Sequence, residues 1–189
     1  PSFSQPAGFY DHDFLLTLTA QDPRVAIHYT LDGSEPNQES ARYTLPLLIA
    51  SRTGQPNGIS MIENTSGGWK EPIGEVFKAT VVRAAAFRPD GARSAAMSNT
   101  YFVDPDGAAR YTLPIMSIST DPGHLFDEHL GIYMLTRNFR QSGILQSNFN
   151  LRGGEWERPV HIEYFDQSGL RLLAQDGGDA RVVDGELVP

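Results

Sequence analysis

Apolar and polar residues alternate with period two, in short runs cut by residues that turn the chain, and this pattern most narrows what the sequence can become. In Val25 to Leu31, Ile27, Tyr29 and Leu31 share one face, while Ala26, His28 and Thr30 share the other. Phe14 to Ala20 repeats the pattern with Leu16, Leu18 and Ala20. An amphipathic helix would space its apolar residues three and four apart, so both runs read as strands. Asp32-Gly33 follows the first of these runs at once, a pair suited to positive φ in a tight turn, and Pro36 then blocks continuation. Further strands are expected at Leu45 to Ala50, Glu75 to Phe87 and Ala96 to Val103, the last two closing as a hairpin across Arg88-Pro89-Asp90-Gly91. Ser51 to Gly74 has no sustained period and reads as a long loop, with one short strand at Ile59 to Ile62. With 18 Gly and 13 Pro in 189 residues, turns are frequent enough for many short strands and too frequent for a helical bundle.

Asp104-Pro105-Asp106-Gly107 ends this pattern, and Ala108 to Tyr111 reads as a linker, so a domain boundary is expected there. Leu113 to Ser119 is then a strand. Asp121 is placed to cap a helix whose first residue is Pro122, and Gly131 to end it after about two turns. Past a polar stretch from Thr136 to Gly154, Val160 to Phe165 and Leu170 to Ala174 form a hairpin around Asp166-Gln167-Ser168-Gly169. The tail from Gln175 is rich in Gly and Asp and is expected to be poorly ordered.

Fifteen basic against 23 acidic residues leave a net charge of −8, spread along the chain, which argues against nucleic acid as a partner. With no cysteine there is no disulfide framework, no thiolate zinc site and no thiol nucleophile. The longest apolar run, Leu45 to Ala50, is far short of the roughly 18 residues of a membrane helix. The chain opens on Pro1 without a basic-plus-apolar leader, as expected of a processed chain or an excised piece of a longer one.

The string Ile27-His28-Tyr29-Thr30-Leu31-Asp32-Gly33-Ser34-Glu35-Pro36, preceded by Phe3 to Gly8 and followed by Val81-Val82-Arg83-Ala84 and Thr100 to Val103, resembles the chitobiase/β-hexosaminidase C-terminal type of module. That resemblance implies a fibronectin type III-like sandwich of the kind appended to secreted and surface proteins. Leu113 to Pro122, Leu125-Phe126-Asp127, Gly131-Ile132-Tyr133 and Glu155 to Val160 resemble the opening of the spore-coat CotH-like, protein-kinase-like family. Members of that family next carry Gly-Gly-x-Ser-Arg, to which Gly177-Gly178-Asp179-Ala180-Arg181 corresponds with Ala180 in place of the serine. The apolar-Arg-apolar run expected ahead of it is replaced by Leu173-Ala174-Gln175-Asp176, and the catalytic and metal-binding acids of the family lie downstream of Pro189. The expected fold is therefore mostly β: an immunoglobulin-like antiparallel β-sandwich over 1–104, then a smaller α+β segment over 111–189 as the N-terminal part of a CotH-like domain.

Several residue sets invite chemistry, and each has a plainer reading. Asp121, His124, Asp127, Glu128 and His129 have metal-ligand side chains, but on a helix only those three or four apart converge, and the set reads as a capped acidic surface helix. Asp176, Asp179 and Asp184 fit no calcium-loop spacing. Gly177, Gly178 and Arg181 suit a phosphate cradle, opposed by the nearby aspartates. Glu155, Glu157 and Glu163 invite a paired-carboxylate glycosidase reading, but Glu157 and Glu163 lie in and beside a strand and read as a solvated face with Arg158 as partner. No G-x-S-x-G elbow supports a hydrolase. Among Tyr29, Tyr43, Trp69 and Trp156, Trp69 is the best placed for stacking on a sugar, because its polar loop offers no strand pattern to bury it. His28, on the polar face of its strand, reads as a plain surface residue.

The expected role is that of a non-catalytic accessory or spacer module of an exported bacterial protein, at the cell surface or outside the cell by resemblance. Its expected partners are neighbouring domains and cell-surface polysaccharide. No catalytic residue, metal or cofactor is expected; the candidate ligand contacts are Trp69, Gly177, Gly178 and Arg181. The competing expectations are a phosphotransferase whose catalytic half lies beyond Pro189, and a carbohydrate-binding accessory domain of a glycosidase.

Overall fold

The computed structural model of the chain describes residues 1–135, 147–183 and 186–188. Its strands are β1 (Ser2–Phe3), β2 (Gly8–Tyr10), β3 (Phe14–Leu16), β4 (Leu18–Thr19), β5 (Ala26–Thr30), β6 (Ala41–Arg42), β7 (Leu47–Ile49), β8 (Thr80–Phe87), β9 (Met97–Val103), β10 (Ile115–Ser119), β11 (Arg158–Phe165), β12 (Arg171–Val183) and β13 (Glu186–Val188). Among the described residues one short α-helix, α1 (Pro122–Phe126), stands between β10 and β11. The chain divides into two compact units: Pro1–Arg52, Lys78–Ser119 and Ile162–Ala174 make the first, and Thr53–Phe77, Thr120–His161 and Gln175–Pro189 the second.

In the first unit, β2, β9, β8, β5 and β6 form one sheet in that order, and the pairs β1–β4 and β3–β7 form two ribbons. Leu16 and Ile49 from β3 and β7, Leu18 from β4, Ile27 from β5, Val82 and Ala84 from β8, and Tyr101 and Val103 from β9 make one apolar cluster. Burying these side chains drives the layers together, at about 25 cal/mol per Å² of apolar surface removed from water. The result is a β-sandwich. One pairing departs from the antiparallel expectation: β2 runs parallel to β9, from Gly8 opposite Tyr101 to Tyr10 opposite Val103. Most of the unit lies between these strands in sequence, so no tight turn dictates their direction.

Phe14 to Ala20, expected as one strand, is two. The amide of Ser4 donates to the Thr17 carbonyl, and the Thr17 amide donates to Ser4 Oγ, both at 2.9 Å. At this junction the chain changes partner, β3 pairing with β7 and β4 with β1. Leu31, expected in the core, is exposed because β5 ends at Thr30 and the turn begins. Ile59 to Ile62 is not a strand: Ile59–Met61 is a single 3₁₀ turn, with the Met61 amide bonded to the Gly58 carbonyl.

The expected boundary between 104 and 111 falls inside the first unit. Gly107–Arg110 is a 3₁₀ turn, and Arg110 pairs at 2.8 Å with Asp104, whose side chain is nearly buried. The hairpin between β11 and β12 also contributes residues 162–174 to this unit. Its Phe165 is fully buried and meets Phe9 and Phe102 edge-on at 5.5 and 5.6 Å. Gly169 closes the turn at φ +86°, and a Cβ there would stand 2.9 Å from that of Ala108, so no larger residue fits without a shift.

In the second unit, Asp121 caps α1 by accepting from the Gly123 amide at 2.8 Å, with Pro122 at the first helical position. The helix is one turn rather than two. Asp127 leaves the helical conformation at ψ 139°, and its carboxylate takes the amides of His129 and Leu130. The tail expected to be poorly ordered continues β12 to Val183 and returns as β13, with Arg181 opposite Val188. Part of the polar stretch, residues 136–146, lies outside the described residues.

Candidate functional site

The motif Tyr29 to Pro36 is organised by its own polar side chains. Asp32 Oδ1 accepts from the amide of Ser34 at 3.0 Å and from its hydroxyl at 2.6 Å, while Thr30 Oγ1 donates to the Ser34 carbonyl at 2.7 Å. Gly33 sits at φ +88°, the conformation for which glycine is the inexpensive residue. Partial burial alone would raise the pKa of Asp32, but the two bonds from Ser34, with a further one from its own backbone amide, outweigh it and hold the carboxyl below the ordinary aspartate value.

Two arginines of the β8–β9 hairpin fasten this turn. Arg83, largely buried, donates to Ser98 Oγ at 3.1 Å, to the Gly33 carbonyl at 2.8 Å and to Glu35 at 2.5 Å. Arg93 donates to the other Glu35 oxygen at 3.0 Å and to the Pro36 carbonyl at 3.3 Å. Glu35 thus bridges two cations about 50 residues downstream. No local spacing announces such pairs. The usable clue was that Arg83 interrupts an otherwise apolar run, Val81 to Phe87.

Beside the turn lies an open cleft of about 490 Å³, lined by Tyr29, Thr30, Leu31, Asp32, Ser34, Ser40 and Ala41. Ser40 is fixed by Asn37, whose amide donates to Ser40 Oγ at 3.0 Å, and the Ser40 carbonyl accepts from His28 Nδ1 at 2.8 Å. His28, expected as a plain surface residue, is half-buried, with its ring edge-on to Phe87 at 5.3 Å.

A second polar group lies within the same unit. Arg171 donates to Glu163 at 2.7 Å and to Asn99 Oδ1 at 2.8 Å; Asn99 donates to the Tyr101 hydroxyl, which donates to the Gln5 carbonyl at 3.0 Å. Glu163, expected on a solvated face beside Arg158, is fully buried and pairs with Arg171 instead. Burial pushes the Tyr101 hydroxyl well above its usual pKa, against the opposing hydrogen bond from Asn99. Arg158 turns to carbonyls, those of Leu130, Glu155 and Glu157, with its guanidinium 5.5 Å from the centre of the Trp156 ring.

Trp69 is half-buried in a turn closed by its own amide on the Ser66 carbonyl at 3.1 Å. The backbone at Gly177, Gly178 and Arg181 is strand, within β12, rather than the glycine-rich turn that a phosphate cradle uses. These three and Trp69 lie in the second unit and line no part of the cleft. In the helix-start cluster, His124 Nδ1 meets Thr120 Oγ1 at 2.9 Å, and that hydroxyl donates onward to the Pro159 carbonyl at 2.7 Å. Among the described residues no three of His, Asp or Glu converge as a metal site.

Residues 16–101 match the model of the Fn3 associated family, which supports a fibronectin type III-associated domain over that stretch. The match runs from the last residue of β3 into β9 and includes the whole Tyr29 to Pro36 motif with Arg83 and Arg93. No curated protein and no solved structure matches the chain.

Proposed function

We propose that this chain acts as a non-catalytic accessory module of an exported bacterial protein, positioning a neighbouring domain or holding it at the cell surface. The observation that carries the reading is the fate of the motif inside the Fn3 associated match. Its strongest polar groups are bonded to one another: Asp32 to Ser34, Thr30 to Ser34, and Glu35 to both Arg83 and Arg93. Catalytic carboxylates are held toward a substrate with a proton to move or a charge to stabilise. Glu35 instead ties a turn to a hairpin, as a scaffold requires. The resemblance of the second half to the CotH-like family makes a domain of that kind the neighbour to be positioned.

The competing reading, a phosphotransferase, rests on Gly177, Gly178 and Arg181 as phosphate contacts. Phosphoryl transfer needs metal-holding acids and positioned cations around the nucleotide. ATP with magnesium is expected neither to be turned over by the chain nor to raise its melting temperature. A nucleotide-dependent rise abolished by Arg181→Ala overturns the accessory reading in favour of the phosphotransferase.

A further inference from the structure

In the five-stranded sheet of the first unit β2 and β9 run parallel, whereas every other neighbouring pair is antiparallel. The chain enters β2 at Gly8, opposite Tyr101, and leaves β9 at Val103, opposite Tyr10. Entry and exit therefore stand at opposite ends of one ladder. Tension applied ahead of β2 and beyond β9 pulls the two strands past each other along their axes. The ladder bonds lie across that pull and stretch together, so no one of them can fail alone. In an antiparallel hairpin such as β8–β9, entry and exit share one end, and tension between them opens the bonds singly.

More than the ladder crosses this seam. Phe9 stacks on Phe102 at 4.7 Å and 14°, and the buried Phe165 meets both rings edge-on, so sliding β2 along β9 parts the stack and disturbs the core beneath it. Beyond the last residue pair, the Asp104 amide donates to the Tyr10 carbonyl at 3.0 Å. Ahead of the first, the Tyr101 hydroxyl donates to the Gln5 carbonyl at 3.0 Å, and the Tyr10 hydroxyl donates to the Pro6 carbonyl at 2.6 Å. The seam is fastened at both ends. We propose that it is a shear clamp, by which this module resists being pulled open when tension runs along the chain. The proposal rests on the accessory reading, under which a module holding a neighbour at a surface transmits tension, and it assigns the element that withstands it.

The test is single-molecule pulling on the whole chain, which has no cysteine of its own, so two introduced thiols set the direction of pull. Pro6→Cys with Asp106→Cys, both at exposed positions, loads the seam along its axis and keeps the Pro6 carbonyl that Tyr10 uses. Asp11→Cys with Asp106→Cys puts both handles beyond the Tyr10–Val103 end and peels the ladder from there. Forced unfolding reads the barrier to opening rather than the equilibrium stability, so one fold can resist differently in two directions. The first pair is expected to need several-fold the unfolding force of the second, with matching urea midpoints. Phe9→Leu thins the stack and is expected to lower the first force while leaving the second nearly unchanged; should that variant not fold, the two directions of pull alone decide. Equal forces, a lower force for the first pair, or a Phe9→Leu loss that is absent or shared equally by both directions overturns the clamp. None of these outcomes produces a nucleotide-dependent melting shift, the result that would sink the accessory reading itself.

Discussion

The first compact unit is held chiefly by ladders of paired strands around one apolar cluster, whereas much of the second is held by single side chains reaching to backbone groups. In the first, β5, β8 and β9 run side by side and alternate side chains enter the cluster. In the second, Asn148 donates to the carbonyls of Glu128 and Gly131, Asp127 accepts two amides, Thr120 bonds the Pro159 carbonyl and Arg158 the Leu130 carbonyl. Ladders repeat and so distribute their energy over many residues. Isolated caps concentrate it in a few. The contrast predicts where substitutions hurt, and for what reason.

The most deeply buried exception to the ladder rule in the first unit, the Arg171–Glu163 pair, should give the largest effect. Arg171→Ala strips the guanidinium from a Glu163 carboxylate with no exposed surface, and is expected to cost about 3 to 5 kcal/mol, read by urea unfolding. Adding Glu163→Gln to that variant should recover part of the loss, because a neutral amide is easier to bury. A cost below about 1 kcal/mol would mean that the pair is not desolvated and that the hairpin at 162–174 contributes little to the unit.

Next comes the cluster itself. Ile27→Ala removes a side chain packed among Leu16, Ile49 and Val82, and is expected to cost about 2 to 5 kcal/mol depending on how far the cavity closes. Unfolding should remain a single transition with an unchanged denaturant slope. A small cost here beside a large one at Arg171 would reverse the comparison, making polar pairing rather than apolar burial the mainstay of the first unit.

These two sites differ in how they could be read from the chain. Ile27 lies in a run of strict period two, and its inward direction follows from that run alone. Leu16 was legible in the same way, and the turns at Asp32-Gly33 and Arg88 to Gly91 from their turn residues, whereas Val82 and Tyr101 lie in continuous apolar runs that mark a strand without choosing its inner face. Leu31 was misread because the period continues one residue past the point where the strand ends. Glu163 shares its strand face with the buried Phe165, two residues on, but its charge argued for solvent; the compensating Arg171 sits across a hairpin whose register no spacing fixes. The cleft was half legible. Its motif was singled out, whereas Ser40 and Ala41 arrive through a β5–β6 pairing that periodicity does not reveal. The resemblance of the second half directed attention to Gly177, Gly178 and Arg181, whose backbone is strand.

In the second unit the expected losses are moderate and local. Asn148→Ala leaves the Glu128 and Gly131 carbonyls without that amide at a site only 5% exposed, at a cost of about 1 to 3 kcal/mol. Amide exchange should quicken across Gly131 to Leu135 while β8 and β9 keep their protection. Equal quickening in both units would show that they open together, and the contrast between distributed and concentrated stabilisation would lose its meaning.

The smallest effects sharpen the comparison most, because each unit carries an aspartate that organises a turn. In the first, the hydroxyl of Ser168 and then the Leu170 amide hold Asp166 below the ordinary aspartate pKa; in the second, the amides of Leu130 and His129 do the same for Asp127. A depressed folded pKa stabilises the fold above the unfolded value of about 4, and that contribution fades as pH falls through the lower folded value. Both turns should therefore loosen only in acid, which a carboxyl titration by NMR can follow site by site. Both groups are exposed, so neither should move the unfolding midpoint far at neutral pH. Ser168→Ala separates them. It removes the leading cause at Asp166 and should move that pKa toward the ordinary value, while Asp127, held by backbone amides that no side-chain substitution deletes, stays where it is. If Asp166 keeps its low value in Ser168→Ala, its turn too is held by backbone amides, and at this scale the two units are stabilised alike.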